Sequence, residues 1–114
     1  MAGKINSYAD FQTTMDAACK QVGAEPDFAP HGRWWRVMDY AKFMSDGDVL
    51  GERIVAPGDP DNSRLIQALE GRPPFGDGGK FSRMPPVKPF EQATIDEIRD
   101  WIARNCPNGK AYGA

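Results

Sequence analysis

The sequence is poor in the features that mark nucleic-acid-binding and membrane proteins. Its 114 residues include 14 basic and 16 acidic ones, a net charge of −2, and no run of like charge reaches five residues. A nucleic-acid-binding surface or a polybasic membrane patch would need concentrated lysine and arginine. No apolar segment approaches the ~20 residues that span a bilayer. The sequence therefore predicts no nucleic-acid partner and no membrane insertion.

Histidine and cysteine are also scarce. His31 is the only histidine, and Cys19 and Cys106 are the only cysteines, with no C-x-x-C pair. This pattern does not support a zinc or iron–sulfur site built on thiolates. The two cysteines are either small buried thiols or one disulfide between the terminal helices, because spacing alone does not show how close they lie. With no Ser–His–Asp or Cys–His arrangement, the sequence predicts that the chain is not an enzyme.

The N-terminal segment lacks the apolar stretch of a signal peptide. Taken as a native N-terminus, it predicts a cytoplasmic protein. If a signal peptide has been removed, the prediction becomes periplasmic. The length suffices for one modest hydrophobic core and no more, so we expect residues 1–114 to form a single domain.

Apolar residues that recur on one helical face predict a helix near each end of the chain. In the first helix, over residues 5–22, they are Tyr8, Phe11, Met15, Ala18, Cys19 and Val22. Ser7 is the expected N-cap of this helix and Gly23 its expected end. In the last helix they are Ile95, Ile98, Trp101, Ile102 and Cys106. A capping box from Thr94 to Glu97 is expected to begin this last helix.

Two shorter helices are predicted between them. The first ends near Ser45 and places four residues in the core: Val37, Tyr40, Ala41 and Met44. The second runs through Leu65, Ile66 and Leu69 to Gly71. Its N-cap is expected to be one of three polar residues in the stretch PGDPDNS: Asp61, Asn62 or Ser63. The pattern indicates capping, not catalysis, for these polar side chains.

A loop rich in proline and glycine connects this helix to the last one. Within it, Met84 is followed by Pro85 and Pro86. The two pyrrolidine rings fix φ and supply no N–H for a helix, so the loop can present the Met84 sulfur rigidly. The alternative is a buried methionine that fills a gap in the core.

These C-terminal features together resemble a known family. PGDPDNS, the Gly/Pro-rich loop, Met84-Pro85-Pro86 and a final helix ending in Trp101-Ile102 are similar to the C-terminal half of a small class I cytochrome c domain. The resemblance implies an all-α, cytochrome c-like fold of four or so helices around a central pocket. It implies that the first and last helices cross near Trp101, and that Met84 is the distal axial ligand of a haem iron.

The haem-attachment half of the family signature is degenerate in this chain. Placing His31-Gly32 on the family's Cys-His-Gly puts Asp27 and Pro30 where the two cysteines would stand. Asp27 and Pro30 cannot form thioethers, so covalent haem attachment is lost. His31 is either the second axial ligand of the iron or an ordinary histidine in a loop flanked by proline and glycine.

Two tryptophans follow directly, and the sequence leaves their role open. Trp34 and Trp35 could line a haem pocket, or fill the volume that the porphyrin would occupy. Phe81 is a further candidate for either role, and Phe28 is a further candidate for filling the core. A third reading is an interaction surface, because the segment 33–36 consists of arginine and tryptophan, which are hot-spot residue types.

The function divides into two hypotheses. The favoured one is a haem-free, partner-binding or structural subunit with no cofactor, which interacts with a protein partner or a larger complex. The missing cysteines and the missing signal peptide favour it. The alternative is an electron-transfer protein that binds haem b non-covalently through His31 and Met84, and the presence of both ligand types favours it.

Overall fold

The fold comes from a computed structural model of the chain, which describes residues 5–24, 33–45, 47–49, 52–72, 75–76, 84–85 and 88–109. These residues form five α-helices: α1 (Tyr8–Val22), α2 (Trp34–Val37), α3 (Tyr40–Ser45), α4 (Arg64–Glu70) and α5 (Gln92–Ala103). Between α3 and α4 lie an antiparallel pair of two-residue strands, β1 (Asp48–Val49) and β2 (Glu52–Arg53), and a 3-10 turn, Pro60–Asn62. The prediction of an all-α fold is confirmed. In the described part of the chain, every helix is too short or too polar to cross a membrane.

Helix α1 forms as its sequence predicts. The Ser7 hydroxyl accepts a hydrogen bond of 3.0 Å from the N–H of Asp10, which satisfies one of the free donors of the first turn. At the other end Gly23 adopts φ 76°, a left-handed conformation that glycine adopts without steric cost. The six predicted apolar residues are all buried. One face of α1 therefore lies in the core along its whole length.

The prediction for the next helix is wrong at two of its four core residues, Val37 and Ala41, while Tyr40 and Met44 pack against the core. Helix α2 ends at Val37, and a separate helix, α3, begins at Tyr40. The Asp39 carboxylate caps α3 by accepting the N–H of Lys42 at 2.8 Å. Because this cap begins a new helix, the spacing of buried residues in α2 does not continue into α3. Val37 is 86% exposed and Phe43 is fully buried in the core instead. Ala41, also predicted for the core, is exposed, while Tyr40 and Met44 are half-buried.

Ser63 stands at the N-cap position of α4, but its hydroxyl makes no bond to that helix. It accepts the N–H of Ala56 at 2.9 Å and donates to the carbonyl oxygen of Asp59 at 3.0 Å. The side chain is fully buried. The serine therefore closes the turn formed by residues 56–63, which is a local alternative to helix capping.

The same turn is attached to the end of α5. The N–H of Gly58 donates to the carbonyl oxygen of Ile102 at 2.8 Å. Gly58 has φ 81°, and a Cβ atom there would lie 2.8 Å from Oδ1 of Asn105. The left-handed backbone conformation is what favours glycine at this position, since the Asn105 side chain could move aside.

Helix α5 buries its predicted face completely, since Ile95, Ile98, Trp101, Ile102 and Cys106 are all 0% exposed. The predicted capping box is wrong. The helix begins earlier, at Gln92, with Glu91 in the N-cap position and no side-chain cap. The N–H groups of Thr94 and Ile95 already bond to the Glu91 carbonyl oxygen, at 3.0 and 3.2 Å. Thr94 therefore lies inside the first turn, where it cannot act as the N-cap.

Helices α1 and α5 pack against each other. The rings of Phe11 and Trp101 are stacked, with centroids 4.8 Å apart and an interplanar angle of 14°. Trp101 also donates its indole N–H to the carbonyl oxygen of Pro107 at 2.8 Å. Near the chain ends, Arg104 Nη2 donates to the carbonyl oxygen of Ile5 at 2.7 Å. The packing of the first and last helices at Trp101 thus combines ring stacking with satisfied polar groups.

We expect Trp101→Ala to lower the free energy of unfolding by about 3–5 kcal/mol, because it deletes a fully buried aromatic side chain. Urea denaturation followed by circular dichroism measures the change. Val37→Ala is the control, and since Val37 is exposed it should change stability by less than about 0.5 kcal/mol. A Trp101→Ala loss as small as that of the control would contradict the packing of α1 on α5.

Candidate functional site

The structure describes three of the five residues that the sequence places at the candidate site. His31 and Phe81 lie outside the described residues, as does Phe28. Trp34 and Trp35 form the start of α2, and Met84 lies after the long loop. The roles predicted for His31 and Phe81 stay predictions.

Trp34 and Trp35 are buried, at 8% and 2% exposure. The Trp34 ring is parallel to that of Phe43, with centroids 6.1 Å apart and an interplanar angle of 3°. It also lies 6.0 Å from the Phe11 ring and meets the Trp35 ring edge-on at 5.5 Å. These separations fall in the range of favourable aromatic pairs. The two tryptophans are thus in contact with core rings and not with solvent.

The rings around Trp34 form one continuous aromatic cluster, which also joins the packing of α1 on α5. Phe43 lies 5.6 Å from Phe11 and 5.7 Å from Trp101, measured between ring centroids. With Trp34 also packed on it, Phe43 has Tyr8 as a fourth ring neighbour, at 5.3 Å. We call this set the aromatic cluster; its members are Tyr8, Phe11, Trp34, Trp35, Phe43 and Trp101. It connects α1, α2, α3 and α5.

Helix α2 has only four residues, and α1 supplies hydrogen bonds that hold it. Gln12 donates from Nε2 to the carbonyl oxygen of Trp35 at 2.7 Å, and Tyr8 donates from its hydroxyl to that of Met38 at 2.7 Å. The last carbonyl groups of a helix have no partner within it, so these two bonds satisfy groups that would otherwise be free. Burial, with a further contribution from the charge of Asp39, raises the pKa of Tyr8 to about 12. The phenol therefore stays protonated and keeps donating.

One turn further along α1, Asp16 receives four hydrogen bonds. Its Oδ1 accepts the indole N–H of Trp35 at 2.8 Å and Nη1 of Arg33 at 3.0 Å. Its Oδ2 accepts Nε and Nη2 of Arg36 at 2.9 and 2.6 Å. We call these four residues the Asp16 cluster. It satisfies the buried indole N–H and orients both arginines toward α1.

The Asp16 cluster was not predicted from the sequence. Gln12 and Asp16 follow Tyr8 at intervals of four, which places the three polar groups on one face of α1. That spacing was the available signal. The interpretation of segment 33–36 as an interaction surface is not supported by the geometry, because its tryptophans are buried and both of its arginines bond to Asp16.

The pKa of Asp16 reflects two opposing effects. Partial burial acts to raise it, but the hydrogen bonds from Trp35 and Arg36 and the charges of Arg36 and Arg33 outweigh burial and hold it below its usual range. A carboxylate with a lowered pKa stabilises the fold above the pKa of the unfolded chain. That stability is lost as the pH falls through the folded-state pKa.

Met84 is fixed to the end of α4. Its N–H donates to the carbonyl oxygen of Ala68 at 2.9 Å, and the same oxygen accepts the N–H of Gly71 at 3.4 Å. Gly71 ends α4 in a left-handed conformation, with φ 71°. Met84 is half-buried. The loop after α4 therefore returns to that helix at Met84.

The donor set does not fit covalent haem. Positions 27 and 30 hold a carboxylate and a pyrrolidine ring, neither of which forms a thioether. The two cysteines are unpaired and buried elsewhere, Cys19 on α1 and Cys106 after α5. Burial raises the pKa of Cys19 to about 11, and that of Cys106 to about 12. Both side chains are thus protonated thiols within the core at neutral pH.

No family model, no curated protein and no solved structure matches this chain. Within the described residues, no group of three or more histidine, cysteine, aspartate or glutamate side chains could hold a metal ion.

We expect Asp16→Asn to lower the free energy of unfolding at neutral pH by about 1–2 kcal/mol. This range is the worth of charge-assisted hydrogen bonds, discounted because Arg33 and Arg36 are partly exposed. Since the unfolded carboxyl titrates at about pH 4, the difference from the native protein should shrink as the pH falls below that value. Urea denaturation of both proteins across the acid range tests this. Asp96→Asn on the exposed face of α5 is the matched control, and an Asp16→Asn effect that is equal at all pH values would contradict the account.

The thiols provide a second test of the core. In the native protein at mildly alkaline pH, Cys19 and Cys106 should react with a thiol reagent slowly, because both are buried and protonated. In denaturant without reductant, both should react fully. A denatured protein that shows no reactive thiol until a reductant is added would reveal a disulfide and contradict the arrangement described.

Proposed function

We propose that the chain is a haem-free module that binds a protein partner or supports a larger complex. The resemblance to class I cytochrome c domains in PGDPDNS and in Met84-Pro85-Pro86 is the basis for proposing, further, that its all-α fold is the cytochrome c-like form. On this proposal the chain keeps the fold and has lost the prosthetic group. Fold alone does not determine function, so the proposal rests on the packing of α2.

The observation that carries the proposal is the burial of Trp34 and Trp35 in the aromatic cluster. Their rings contact Phe11, Phe43 and each other at 5.5–6.1 Å. A porphyrin-sized void would leave its lining without packing partners, and side chains that close it remove that cost. The hydrogen bond from the Trp35 indole to Asp16 further fixes this arrangement. On this proposal, the rings of Trp34 and Trp35 fill volume that haem would otherwise occupy.

A partner needs an exposed surface, and Val37 marks a candidate for its centre. Among the residues that the structure describes, Val37 is the only large apolar side chain that is exposed, at 86%. An exposed apolar side chain at this position suits contact with an apolar side chain of a partner.

The second candidate function is electron transfer with non-covalent haem b, held by His31 and Met84. The observation that favours it is the fixed position of Met84, whose N–H bonds to Ala68 and whose side chain is half-buried. An imidazole and a thioether are the axial ligands of high-potential haem electron carriers, and bound haem would supply one-electron chemistry. The sequence retains one residue of each type where the resemblance requires it.

A haem titration of the purified protein separates the two candidates. We expect no saturable one-to-one change in the Soret region, because the aromatic cluster is already packed. His31→Ala should then behave as the native protein does. Saturable binding that is lost in His31→Ala and altered in Met84→Ala, but kept in Met44→Ala as the methionine control, would overturn the haem-free proposal. Such haem should be fully extractable with acid–acetone, since no thioether can hold it.

A further inference from the structure

The Asn108-Gly109 dipeptide, near the C-terminal end of the described chain, contacts the N-terminus of α1. Asn108 accepts the N–H of Tyr8, the first residue of α1, on its Oδ1 atom at 2.9 Å. Asn108 is half-buried and Gly109 is exposed. The side chain of Asn108 thus caps α1 from the far end of the sequence.

The backbone conformation and the close contacts at position 109 both favour glycine there. Gly109 adopts φ 62°, and a Cβ atom there would lie 3.3 Å from both the carbonyl oxygen of Asn6 and the side chain of Ser7. The left-handed conformation and the close approach both favour a residue without a side chain. Two structural requirements therefore place asparagine directly before glycine, and the sequence has no other Asn-Gly pair.

We propose that Asn108 is a site of spontaneous deamidation, and that the isoaspartate it forms uncouples the C-terminal segment from α1. The main-chain nitrogen of Gly109 attacks Cγ of Asn108. A C–N bond forms as the Cγ–Nδ2 bond breaks, and the Gly109 amide proton leaves with Nδ2 as ammonia. Water then opens the cyclic imide at one of its two carbonyls and gives aspartate or isoaspartate.

The surroundings of Asn108 favour deamidation there over deamidation at the other three asparagines. Glycine has no side chain that could obstruct the attacking nitrogen. The Tyr8 N–H, 2.9 Å from Oδ1, polarises the side-chain carbonyl and can bind the oxyanion that develops there. The other three asparagines, Asn6, Asn62 and Asn105, precede serine or cysteine.

The two products affect the junction differently. Aspartate keeps an oxygen acceptor for the Tyr8 N–H and adds a negative charge near the N-terminus of α1, which is favourable for a helix. Isoaspartate adds a methylene group to the main chain. This displaces Gly109 from its fit against Asn6 and Ser7, so the cap on Tyr8 is lost.

The test is incubation of the full native chain at mildly alkaline pH, with peptide mapping by mass spectrometry. Asn108 should convert at least about tenfold faster than each of the other three asparagines, since one aligned donor alone changes acyl-transfer rates by about 10²–10³. Asn108→Gln should give no such early acidic species, because its longer side chain disfavours the ring closure. Retention of the Asn108 amide while another asparagine converts, or equal conversion at all four, would overturn the proposal.

Hydrogen exchange tests the consequence for the fold. The Tyr8 amide should lose its protection in the isoaspartate fraction and keep it in the Asn108→Asp variant. Equal protection of the Tyr8 amide in both proteins would show that the modification leaves the junction intact, and would overturn the proposed uncoupling.

Discussion

The stack of Phe11 on Trp101 is the contact on which the rest of the fold depends. It joins α1 to α5 with ring centroids 4.8 Å apart. Phe43 packs on both rings, which positions α3. The turn at Gly58 bonds to the end of α5 and so fixes the entry to α4. In a chain of 114 residues with one modest core, losing this contact would remove the surface on which the shorter elements pack.

Helix α2 depends most on its surroundings. A four-residue helix is not stable in isolation, because ordering its first turn costs more free energy than the hydrogen bonds of one turn supply. Burial of a tryptophan removes ~150–250 Å² from water, an upper estimate of ~4–6 kcal/mol for each of Trp34 and Trp35. The Asp16 cluster, at about 1–2 kcal/mol, is the smaller contribution. Packing therefore holds α2 in place, while Gln12 and Asp16 determine its orientation by bonding to the Trp35 carbonyl oxygen and the Trp35 indole N–H.

The terminal helices could be predicted from sequence because each has an uninterrupted apolar face, and in α1 also an unambiguous cap at Ser7. Between them, the helix ending at Gly71 was also predicted, but the break between α2 and α3 and the role of Ser63 could not be. Asp39 restarts the helical phase between α2 and α3, and the apolar spacing across it gives no sign of the break. Ser63 uses its hydroxyl within the preceding turn, a choice that depends on where Ala56 lies.

The Asp16 cluster joins residues 17 to 20 positions apart, so the spacing of polar residues on α1 marks one face of that helix but does not identify their partners. The sequence predicted Trp34, Trp35 and Met84 as residues of the candidate site but left the role of the two rings open. The structure adds that both rings are buried, with the Trp34 ring packed on Phe43 and the Trp35 indole N–H bonded to Asp16.

The central claim is that the protein's own rings fill its core without haem. Nuclear Overhauser contacts between aromatic protons, measured on protein purified without added haem, test it most directly. The account predicts contacts from Trp34 to both Phe43 and Phe11, whose ring centroids lie 6.1 and 6.0 Å away. A Trp34 ring with no contact to either, and a well-dispersed spectrum that appears only after haem is added, would contradict it.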